Sequence, residues 1–140
     1  MPTPVSRRTL LQAALVAVVP LGVRRPHCDR AGSTFAGHPT PRTGITAAKV
    51  LPADQLDSAK SVTDIFDLIR EIPAVADGIR CQCSCADLPD YYSLLTCYEG
   101  PDAMARHCEM CQAEGRLVTR LHRSGRTLDQ IRKAIDARFG

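Results

Sequence analysis

Six of the seven cysteines of this 140-residue chain fall within the 31 positions from 81 to 111, as Cys81-x-Cys83-x-Cys85, then Cys97, then Cys108-x-x-Cys111. A fold for this chain must therefore dispose of sulfur from three separate stretches. In an extended strand, residues two apart put their side chains on one face but roughly 7 Å apart. The triple must bend if its thiolates share one ion, or else bridge several ions.

The second pair obeys a different geometry, because a helix sets positions three and four apart side by side. A helix through this region puts Met104, His107, Cys108 and Cys111 on one face. Thiolate with thioether ligation selects Cu(I), while four Cys, or three Cys with a His, suit Zn(II). The expected metal ligands are Cys81, Cys83, Cys85, Cys97, Cys108 and Cys111, with His107 or Met104 auxiliary; a methionine at this spacing is more often core filler. His122 lies about three turns beyond Cys111 and is expected outside the site.

Two other uses of the thiols stand beside the metal reading. A disulfide-stapled interaction domain without bound metal fits the even number and an oxidising compartment. Against it, neighbours two apart reach the Cβ separation of about 3.5 to 4.5 Å that a disulfide needs only with strain. Thiol–disulfide catalysis through Cys108 and Cys111 lacks the βαβ pattern that accompanies it. An iron–sulfur cluster is a minor variant, since the spacing matches neither common ferredoxin run. No catalytic acid–base pair can be argued, so an enzymatic role is not expected.

Charge narrows the partners. Residues 1–30 hold five Arg and one Asp, a balance of +4, so the formal +3 of the whole chain leaves about −1 for the remainder. No nucleic-acid footprint survives that subtraction. The expected partners are a metal ion and a metal-delivery protein. The six Arg and one Lys after position 115 read as solvated helix faces.

The amino-terminal segment Ser6-Arg7-Arg8-Thr9-Leu10-Leu11 resembles the twin-arginine export motif, and the apolar run at positions 10–23 is closed by Arg24 and Arg25. That run is short for a membrane span. The expected organisation is a signal segment at 1–29, a Gly-, Pro-, Ser- and Thr-rich linker at 30–55, and a cysteine-rich helical domain at 56–140. The destination is periplasmic or otherwise extracytoplasmic, with membrane attachment only if the segment is retained. The twin-arginine route carries folded cargo, which implies that a site could be loaded before export. His38, within the linker, reads as solvated, and Cys28 lacks the small apolar neighbours of a lipid-acceptor cysteine.

The fold class is all-α. Val62, Ile65, Phe66 and Ile69 recur at i, i+3, i+4 and i+7, with Ser61 and Asp64 as a capping box and Pro73 as the stop. A second helix is expected from near Pro101 and Asp102, through the cysteine pair, to before Gly125. A third begins at Thr127 with Gln130 three residues on, and aligns Leu128, Ile131, Ile135 and Phe139. Residues 91–98 could form a short helix carrying Leu94, Leu95 and Cys97. There is no convincing strand and no glycine-rich phosphate loop.

Beyond its local patterns, the stretch at about 61–139 resembles the exported bacterial proteins named for a PCYCGC motif, often lipoproteins. The resemblance is carried by Arg80-Cys81-Gln82-Cys83-Ser84-Cys85, by Glu71-Ile72-Pro73 upstream, and by Ser93-Leu94-Leu95-Thr96-Cys97-Tyr98 downstream. It continues through Cys108-Glu109-Met110-Cys111-Gln112-Ala113-Glu114. The family's Pro, Tyr and Gly are missing here, and Ser84 stands at the Gly position. The family is uncharacterised, so the resemblance implies the cysteine set and export, and no activity.

Overall fold

The computed structural model describes residues 37–56 and 58–140. The signal segment, Cys28 and the start of the linker lie outside them. The described residues are helical: α1 (Lys60–Glu71), α2 (Pro73–Asp77), α3 (Glu109–Arg123) and α4 (Leu128–Phe139), with one 3₁₀ turn before α1 and three between α2 and α3. Among the described residues there are no strands, only an isolated antiparallel bridge between Val50 and Glu99. No helix among them is long and apolar enough to cross a membrane.

The stripe on α1 buries Ile65, Phe66 and Ile69, as its periodicity requires. Its start differs from expectation. Ala59 is the N-cap and makes no side-chain cap bond. Asp64 instead takes a hydrogen bond from Lys60 Nζ at 2.6 Å. Ser61 already lies inside the first turn, where its hydroxyl is past the capping position. Pro73 ends α1 and also opens α2, because its missing N–H falls where a helix start has no intrahelical acceptor.

Helix α3 packs against α1, α2 and α4. It is closely approached at Gly115, where a Cβ would stand 2.3 Å from Tyr98 Oη and 3.2 Å from Ile65 Cγ1. Tyr98 is fully buried, packs edge-on against Phe66 with centroids 4.8 Å apart, and donates to the Cys111 carbonyl at 2.7 Å. Gly125, at φ 77°, ends α3 in the left-handed conformation that glycine adopts freely. The Thr127–Gln130 capping box then starts α4 with both reciprocal bonds in place.

The described part of the expected linker is fastened to this framework. Val50 and Leu51 are buried in the core, and Leu51 N–H donates to the Tyr98 carbonyl at 3.0 Å. Asp77, fully buried at the end of α2, accepts from Arg42 N at 2.7 Å, from its Nη2 at 2.6 Å and from Ser93 Oγ at 2.8 Å. Burial alone would raise the Asp77 pKa, but the bonds from Arg42 and Ser93 outweigh it and hold it below the usual carboxylate range. His38 is not solvated: its side chain is 11% exposed, because it accepts from Arg80 N–H and faces Asp136.

Candidate metal centre

After α2 the chain reaches Cys83 in extended backbone and then turns. Two backbone N–H groups of this stretch are held by side chains from distant elements. Arg80 N–H donates to His38 Nδ1 at 3.0 Å, and Gln82 N–H donates to Glu114 Oε1 at 2.8 Å. With Nδ1 accepting, the neutral imidazole carries its proton on Nε2, 3.1 Å from Asp136 Oδ1. A 3₁₀ turn at Ser84–Asp87 follows directly. The result is the bend that the triple requires: Cys81 and Cys83 bring their sulfurs to 3.3 Å instead of lying a strand repeat apart.

Cys111 enters the same space from the first turn of α3, with Sγ 3.5 Å from Cys81 and 3.7 Å from Cys83. Cys97 enters from the 3₁₀ turn at Leu95–Tyr98. The four sulfurs of Cys81, Cys83, Cys97 and Cys111 lie within 4.8 Å of one another, and all four residues are buried. A tetrahedral ion with metal–sulfur bonds of about 2.3 Å needs sulfur–sulfur edges of about 3.8 Å. The donor set therefore already has the dimensions of a metal site. No disulfide joins the six described cysteines.

The remaining expected ligands divide. Cys108 is the N-cap of α3, its sulfur accepting from Cys111 N–H at 3.5 Å, and it stands outside the set of four. Cys85 sits half-buried in the 3₁₀ turn beside Cys83. His107 is exposed and stands outside the cluster. Met104 lies in a separate 3₁₀ turn, Met104–Arg106, packed on the core. The expected common face of Met104, His107, Cys108 and Cys111 does not form, because α3 begins at Glu109 and not near Asp102. Gly100 at φ 74° and the turn at Pro101 and Asp102 consume the helix-start signal, and extended backbone at Cys108 resets the phase. His122 is exposed on α3, away from the sulfurs.

Proton sharing within the cluster follows from like charges crowded into a dry space. Hydrogen bonds from Cys108 and then Cys111 hold the Cys83 thiol down to about 3. Hydrogen bonding with Cys111 first, and then with Cys83, holds Cys81 well below the ordinary thiol range. Cys111, donating towards Cys108, Cys81 and Cys83, is pushed up. Burial, and then its neighbour Cys83, push Cys85 up to about 12. Without a cation, the cluster keeps protons on some sulfurs to solvate the charge of others.

Glu114 is the site residue that sequence reasoning missed. It is fully buried, one turn along α3 from Cys111. Its Oε1 holds Gln82 N–H, and its Oε2 has no hydrogen-bond partner. Burial pushes its carboxyl up to about 8, against bonds to Cys81 and Gln82 that pull the other way. The available signal was the run of three-residue spacings Cys108-x-x-Cys111-x-x-Glu114, which aligns the carboxyl with the thiols.

No protein-family model matches this chain, and neither a curated protein nor a solved structure matches it.

Proposed function

We propose that this protein is an exported metal-binding protein that handles a soft cation, Zn(II) or Cu(I), through thiolate ligands. The observation that carries the reading is the meeting of four buried thiols within 4.8 Å of one another. Thiolates are the ligands of choice for both ions, and a tetrahedral thiolate set closes around Zn(II) as a structural site does. Gathering thiolates in a buried space without a cation is electrostatically costly, which is the condition a bound ion relieves. The backbone restraints from His38 and Glu114 hold Cys81 and Cys83 in this arrangement, so little reorganisation accompanies binding.

Export rests on the Ser6–Leu11 motif, and membership of the PCYCGC family rests on the matched cysteine segments. A cargo folded before export would acquire its ion inside the cell and deliver or retain it outside, from or to a metal-delivery partner. Elemental analysis of protein purified anaerobically from its native compartment, combined with a thiol count under denaturation, tests the reading. The expected result is bound Zn or Cu, and six titratable thiols from the described cysteines once metal is chelated. Metal-free, folded protein with three disulfides would overturn it.

A further inference from the structure

Resting on the thiolate reading above, we propose that the six thiols hold two closed-shell, thiophilic cations, with the sulfurs of Cys83 and Cys111 shared between them. The argument begins with the two cysteines that the inner set of four leaves over. The Cys108 sulfur accepts from Cys111 N–H at 3.5 Å, and Cys85 follows Cys83 by two positions in the 3₁₀ turn at Ser84–Asp87. The Cys83–Cys111 edge, 3.7 Å long, is thus the part of the inner set to which both remaining cysteines are nearest along the chain. Cys81 and Cys97 face it from the buried side, at 1% and 0% exposure. Cys85 and Cys108 are half-buried, nearer solvent than the inner set.

Ligand counting agrees with this placement. Four-coordinate Zn(II) needs four donors, and two ions that share a pair of thiolates need six in all, the number present between Cys81 and Cys111. Charge agrees as well. A second divalent cation enters together with the thiolates of Cys85 and Cys108, so the net charge of the buried site does not change. Each newly recruited thiol gives its proton to solvent as its sulfur binds. Cu(I), which accepts fewer thiolates per ion, uses the same shared edge. The ion on the Cys85–Cys108 side lies nearer solvent and is the first to exchange.

Full-length protein, reduced and stripped of metal under anaerobic conditions, would be titrated with Zn(II) and, separately, with Cu(I), and the ions per chain read by native mass spectrometry. The expected result is two Zn(II) per wild-type chain and one in the Cys85→Ser/Cys108→Ser variant; with Cu(I), at least two ions, and at least one fewer in the variant. Wild-type protein loaded with ¹¹³Cd gives a readout that needs no variant: two cadmium resonances coupled to each other through the shared sulfurs. A single ion in the wild type, bound equally well by the double variant, would overturn the two-ion site and leave the one-ion reading standing. Two uncoupled cadmium signals would overturn the sharing, and no bound ion would overturn the thiolate reading itself.

Discussion

The Glu114 carboxyl is buried with one oxygen unpartnered, so burial governs its charge state before the thiols around it do. Its pKa is raised in the folded protein from the ordinary 4.5 to about 8. Between those values the folded state binds more protons than the unfolded state, so this group's contribution makes the protein less stable as pH rises through that window. Glu114→Gln keeps the acceptor for Gln82 N–H and removes the titration. In metal-free, reduced protein, the variant's stability relative to wild type should rise by about 3 kcal/mol between pH 5 and pH 7. Urea unfolding at the two pH values measures it, and a difference independent of pH would contradict the assignment. Gly115 makes the opposite kind of residue-scale prediction. An alanine in a helix interior normally gains up to about 1 kcal/mol over glycine, but here its methyl group would meet Tyr98 Oη at 2.3 Å. Gly115→Ala should destabilise by about 2 kcal/mol. Adding Tyr98→Phe, which removes the clashing oxygen, should recover part of that loss in a thermal melt.

Among the elements, those fixed by local chemistry were legible in the sequence. The apolar stripe of α1 and the Thr127–Gln130 box of α4 depend only on near neighbours, and both are present. The start of α3 was not legible, because proline followed by aspartate signals a helix start and a tight turn equally well. Neither was the fastening of residues 38–51, because His38 and Arg42 find their partners 42 and 35 positions away. Arg42 and Asp77 make that fastening testable. Asp77→Ala leaves the Arg42 guanidinium and the Ser93 hydroxyl without their acceptor. Because Arg42 is 40% exposed and can turn to water, the expected loss is about 3 kcal/mol, at the low end for a broken buried pair. The wild-type Asp77 pKa is lowered on folding, so its contribution is complete above the ordinary value of 3.8 and fades as pH falls through the folded value. A variant whose denaturation midpoint matches wild type at neutral pH would show that the strap contributes little.

The molecule as a whole has three stretches of chain meeting at one pocket of sulfur, with helix α3 supplying Cys108, Cys111 and Glu114 from two consecutive turns. The clustering of cysteines was visible in the sequence, but the division into four buried and two half-buried sulfurs was not. That division depends on the bend at Cys83 and on the phase of α3, both set by tertiary contacts. Because all four inner ligands are buried in the apolar core, binding an ion should stabilise the entire fold: saturating Zn(II) at about 100 times its Kd adds about 3 kcal/mol. Cys97→Ala should lose most of that gain in a melt with and without metal. Ligation of one ion by the inner sulfurs together is read by X-ray absorption at the edge of the bound metal. The expected coordination environment is sulfur alone, at about 2.3 Å for Zn(II). A first coordination sphere dominated by nitrogen or oxygen would contradict it.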